Sequence, residues 1–114
     1  MARKFAAGTE EETCIEKLAL LFPSASPVRI PVRVTTLGTR RRHLEEQTTI
    51  EFGTKQEVLF ASTLPLEFED RVRLANVDGS LDAQATVVAV RYHGGQKAIA
   101  ARFTGEVGNW IIKS

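Results

Sequence analysis

From residue 27 onward the dominant signal is alternation. In "PVRIPVRV" (27–34), Val28, Ile30, Val32 and Val34 fall on one side of an extended chain, and Arg29, Pro31 and Arg33 on the other. Apolar runs of strand character recur after it, and they predict strands over about 28–36, 47–52, 57–62, 70–75, 81–92 and 96–103. Gly38, Gly53, "TLPLE", "NVDGS" and "HGGQ" punctuate these runs. Asp78-Gly79 and Gly94-Gly95 are tight-turn pairs between apolar stretches, the sequence form of an antiparallel hairpin.

Before residue 27 the period changes. Ile15, Leu18 and Phe22, with Cys14 and Leu21 beside them, repeat at helical spacing. Thr9 with Glu12 three positions later forms a capping-box pattern, and Pro23 supplies a stop, so a helix is predicted over about 10–22. "PSASP" (23–27) connects it to the first strand. Six strands joined by connections too short for crossover helices predict a mainly β fold: a small six-stranded antiparallel β-barrel carrying an N-terminal α-helix. Residues 1–26 form the helix and connector, and 27–114 the barrel with its C-terminal tail. The helix stripe serves either the domain's own core or a partner. Trp110, Ile111 and Ile112 in the tail either close the barrel or pack on another chain. Ile15, Leu18, Phe22 and Trp110 are therefore the candidate partner interface, with a homo-oligomer left open.

Composition narrows the function classes. The chain has 114 residues, the size of one domain with a modest core of its own. Fifteen Lys and Arg against 14 Asp and Glu leave a net charge of +1, so no whole-molecule field draws it to nucleic acid or an anionic membrane. A single cysteine, Cys14, excludes an intramolecular disulfide and argues for a reducing, cytoplasmic setting. No segment has the apolar run of a signal peptide or the roughly 20 apolar residues of a membrane span. His43 and His93 lack metal-ligand spacing, so no metal is expected. No local nucleophile–base set or glycine-rich phosphate loop can be assembled, which argues against an enzyme. "TRRRH" (39–43) is the one dense basic cluster. Arg40, Arg41 and Arg42 either close over a phosphate or form a solvated hairpin tip balanced by Glu45 and Glu46. Nucleic acid is the weaker reading, because only 7% of the chain is aromatic and single-strand binders interleave aromatic with basic residues.

The order of these elements resembles the PilZ domain, a small bacterial six-stranded barrel known as a receptor for cyclic di-GMP. The residues that carry the resemblance are "PLEFEDRVRL" (65–74), similar to the family's Pro-Leu, short turn and charged strand, and "LDAQATVVAVRYHGGQKAIAARF" (81–103), similar to its long hairpin. With "IPVRV" as first strand, the resemblance covers about residues 27–104.

The resemblance also implies a ligand site. The family carries an R-x-x-x-R element around the first strand and a D/N-x-S-x-x-G element after it. Arginines clamp phosphates and stack on guanine, while the carboxylate or amide and the serine hydroxyl supply hydrogen bonds. Here Arg29 and Arg33 satisfy the first element, although they fall within the predicted strand where the family's arginines precede it. Aligning "TTIEFGTKQEVLF" (48–60) on the second puts Glu51 at the D/N position, Gly53 at the Ser position and Gln56 at the Gly position. The hydroxyl is lost and a side chain is added. Losing roughly two to four kcal/mol of charge-assisted hydrogen bonding weakens binding about 30-fold to nearly 1000-fold. The expectation is a divergent, non-catalytic signalling adaptor that works through a protein partner and needs no cofactor. The competing expectation is a cyclic di-GMP or other nucleotide receptor using Arg29, Arg33 and Arg40 to Arg42 in a relocated site, with a small nucleic-acid-binding barrel third.

Overall fold

The computed structural model describes residues 13–38 and 43–112. Helix α1 is Cys14–Ala19, followed by strands β1 (Ser26–Leu37), β2 (Glu45–Gly53), β3 (Glu57–Ala61), β4 (Arg71–Ala75), β5 (Asp82–His93) and β6 (Gln96–Phe103). Each of the six predicted strands is present within a few residues of its expected bounds. They close into one antiparallel barrel in the order β1-β2-β3-β6-β5-β4, with β4 paired back onto β1. Closure leaves no strand without two neighbours, which removes the free edges that invite aggregation.

Helix α1 is shorter than the periodicity predicts. Thr13 is extended, with φ −73° and ψ 167°, so the helix starts only after it. Thr13 Oγ1 accepts from the Glu16 amide at 3.2 Å, and the Glu16 carboxylate accepts from the Thr13 amide at 2.9 Å. That is a capping box, set by Thr13 and Glu16. The Thr9–Glu12 pattern lies outside the described residues. At the other end the amides of Leu21 and Phe22 bond back to the carbonyls of Leu18 and Ala19, at 3.0 and 2.9 Å. The helix tightens into turns because Pro23 disfavours a helical conformation for the residue before it.

Alternation sorts the core. Val32 and Val34, Ile50, Val58 and Phe60, Val72 and Leu74, Ala85 and Val87, Ile99 and Ala101 point into the barrel, all buried. Trp110 plugs the end where the β2–β3 turn meets the end of β6, with Phe103 edge-on at a ring-centroid distance of 5.2 Å. Leu64 closes the opposite end, beside the start of β6.

A second apolar cluster lies outside the barrel. Cys14, Ile15 and Leu18 of α1 cover Leu59 of β3 with Ala98 and Ala100 of β6, and Phe22 packs at its margin. The unbroken buried runs Val58 to Phe60 and Ala98 to Ala101 have this cause: these strand segments are covered on both faces. The interface expected of Ile15, Leu18 and Trp110 is therefore corrected, because all three side chains are buried in the chain's own cores. Of that set only Phe22 keeps appreciable exposure.

Candidate functional site

Three regions hold the residues singled out by sequence. The first is the outer face of β1. Arg29 and Arg33 are exposed, as the alternation requires, and lie on the same side of the strand about 13 Å apart. Among the described residues neither forms an ion pair. Their neighbours explain this in part. Arg33 stands opposite Gln47 on β2 and Ala75 on β4, neither of them acidic. The β1–β2 register slips between Pro27 and Ile30, and the β2–β3 register slips between Ile50 and Phe52. Arg29 falls within the first irregularity and the exposed Glu51 is the extra residue of the second. Arg29 and Glu51 thus sit on adjacent strands at bulges, without bonding to each other. Arg40, Arg41 and Arg42 lie outside the described residues.

The second region contains Gly53. A Cβ built there would stand 2.6 Å from Trp110 Cζ2 and 3.1 Å from the Ile112 side chain. The indole Nε1–H donates to the Thr54 carbonyl at 2.6 Å. Thr54 is itself buried, and its hydroxyl donates to the Glu57 carboxylate while accepting from the amides of Gln56 and Glu57. Arg102, directly across from Glu57, donates to it through Nε at 3.0 Å and Nη2 at 2.8 Å. The Gly53–Gln56 segment is therefore a turn held by Trp110, Glu57 and Arg102, and the space at Gly53 belongs to the indole. Gly53 as a ligand contact is corrected on that ground.

Of the ligand-motif positions, the third region holds Glu51 alone. A cleft of about 650 Å³ opens beside α1, with Glu46, Glu51, Ser62, Thr63, Tyr92 and Lys97 on its walls. Glu46 accepts from Ser62 Oγ at 2.7 Å, Thr63 Oγ1 at 2.5 Å and the Thr63 amide at 2.9 Å. Burial alone would push its carboxyl up. The hydrogen bonds from Thr63 and Ser62, with the nearby charge of Lys97, outweigh that and hold it below the usual glutamate value. Lys97 Nζ donates to the Leu64 carbonyl and lies 5.9 Å from the Tyr92 ring centroid. The Cys14 thiol, also at this cleft, donates to the Arg91 carbonyl at 3.2 Å. These groups satisfy one another and tie the segment after β3 to β2 and β6. Local spacing could not reveal this set, because the strand order alone brings the start of β2, the end of β3 and the start of β6 together.

A pH dependence follows. The folded-state pKa of Glu46 is lowered, so its contribution is complete above the ordinary glutamate value of 4.5 and is lost as pH falls through the folded value. Glu46→Gln is expected to lower stability at pH 7 by no more than about 1 kcal/mol, since the group is partly solvated. The gap from the parent protein should close on acidification below about pH 4, read by urea unfolding at the two pH values.

Arg71 and Arg73 share an exposed face, and Arg73 is held by a two-point ion pair to Asp82, Nε–Oδ1 at 2.8 Å and Nη2–Oδ2 at 2.6 Å. The hydrogen bond from Arg73, with its charge, lowers the Asp82 carboxyl below its ordinary value. Among the described residues no three His, Cys, Asp or Glu side chains are grouped to hold a metal, and no helix is long and apolar enough to cross a membrane. Comparison with protein-family models, with curated proteins and with solved structures finds no match.

Proposed function

We propose that this chain is a non-catalytic signalling module of PilZ-like type, acting in the bacterial cytoplasm through a protein partner and without cyclic di-GMP in the family's usual mode. The observation that carries the reading is the Trp110 indole seated on Gly53, which fills the position where the PilZ motif places a ligand-binding hydroxyl. Around it Glu57 is engaged by Arg102, so that carboxylate is spent internally. Arg29 and Arg33 stand apart on a strand face, and the small cleft that Arg33 lines does not include Arg29 as a two-arginine phosphate clamp would. In the cleft beside α1 the Ser62 and Thr63 hydroxyls both donate to the Glu46 carboxylate, which also takes the Thr63 amide, a mutually satisfied tie that supports a binding role over a chemical one.

The test is isothermal titration with cyclic di-GMP at near-physiological salt, repeated by ligand-observed NMR. The expected result is binding weaker than about 100 μM by either method. A micromolar or tighter dissociation constant overturns the adaptor reading. One observation favours the second reading, a nucleotide receptor with relocated arginines: the guanidiniums of Arg29 and Arg33 have no carboxylate partner among the described residues and are free to take an anion. Under it, Arg29→Ala and Arg33→Ala each weaken that binding at least about tenfold.

A further inference from the structure

The barrel and α1 are held by different kinds of contact. Every strand is hydrogen-bonded to two neighbours, and the interior core is complete without the helix. No backbone hydrogen bond runs from the described residues 13–25 to the barrel. Helix α1 is attached by the side chains of Cys14, Ile15 and Leu18, by Phe22 at the margin, and by the thiol's contacts with the carbonyls of Arg91 and Gln96. It has six residues, well short of the roughly 12–15 an isolated helix needs to persist in water, and it exists because it is docked. The two residues after it contribute little to that docking, with Leu20 at 67% and Leu21 at 63% exposure.

From this asymmetry we infer that α1 is a flap that opens as a unit of its own while the barrel stays folded, uncovering an apolar seat on β3 and β6. The seat is Leu59, Ala98 and Ala100, all at 0% exposure when α1 is down. Two alanines on one strand allow the helix to approach closely and leave nothing interlocked when it lifts. The seat backbone remains in its ladders throughout, because Leu59 pairs with Ala100 and Ala100 with Ala89. Local opening of this kind is how a weakly docked element exchanges below the free energy of global unfolding.

Cys14, the chain's single thiol, reports the motion, since at 2% exposure it is reached only when α1 lifts. In the full chain, alkylation by iodoacetamide forms the sulfur–carbon bond as iodide leaves, and its rate is followed against urea beside hydrogen exchange of the β3 and β6 amides. The expected result is alkylation at least about tenfold faster than global unfolding permits, with a shallow urea dependence. Leu18→Ala should raise the alkylation rate about 30-fold or more, and the milder Ile15→Val about two- to tenfold. In both variants the β3 and β6 amides should exchange within about threefold of the parent rates. Alkylation that follows global unfolding across the urea series overturns the inference. So does a rise in strand exchange matching the rise in alkylation in either variant.

Discussion

Replacing Trp110 by alanine lowers the stability of this barrel by about 3–5 kcal/mol, a large part of the roughly 5–15 kcal/mol typical of a domain. The indole is 3% exposed and does three things at once. It plugs the open end of the barrel, stands edge-on to Phe103, and donates its N–H to the Thr54 carbonyl at 2.6 Å. Truncation leaves a cavity between the β2–β3 turn and the tail, and it strands a buried carbonyl that has lost its donor. Trp110→Phe separates these effects, because it keeps most of the apolar volume and loses the hydrogen bond, and should cost about 1–3 kcal/mol. Urea unfolding followed by far-ultraviolet circular dichroism is the measurement, since removing the chain's only tryptophan removes its fluorescence signal. A loss below about 1 kcal/mol for Trp110→Ala would mean that the tail does not close the barrel in solution.

Gly53→Ser carries the second large effect, and it bears on function as well as stability. Serine would return the hydroxyl that the PilZ-like motif places here, yet any Cβ meets the Trp110 ring at 2.6 Å. The ring cannot swing aside cheaply, because its N–H is bound to the Thr54 carbonyl of the next residue. The expected cost is about 1–3 kcal/mol, as for other overpacked sites, with no gain of cyclic di-GMP binding. The coupling is testable in a cycle: in the Trp110→Ala background the serine should cost less than about 0.5 kcal/mol, because the obstructing ring is gone. Additive losses would show that the glycine is required by its own backbone and not by the indole. Ligand binding gained by the single variant would instead count against the proposed adaptor role.

Much of the barrel was legible along the chain. Val28 to Val34, Arg71 to Leu74 and the long hairpin around Gly94-Gly95 alternate or turn in ways that a half-buried antiparallel strand imposes locally. The helix was legible in kind and misplaced in extent, because periodicity sees which side chains share a face and does not see that Thr13 is extended and makes the cap. The two-sided burial of Val58 to Phe60 and Ala98 to Ala101 left a trace, since such uninterrupted apolar runs are the mark of strands covered on both faces. Read that way, they announce that something must cover the outer side of β3 and β6. Nothing local marks the ring of Glu46, Ser62, Thr63 and Lys97, whose members come from β2, β6 and the segment after β3.

Fold class, strand positions and the exposure of Arg29 and Arg33 were determined by the sequence alone, because alternation and turn chemistry act between residues a few positions apart. The tertiary structure decided the rest. It put Ile15, Leu18 and Trp110 into the chain's own cores, gave the space at Gly53 to an indole from the C-terminal tail, and left Arg29 and Arg33 without carboxylate partners among the described residues. Those outcomes depend on which strands close the barrel and at what register, a long-range property that no short window of the chain contains.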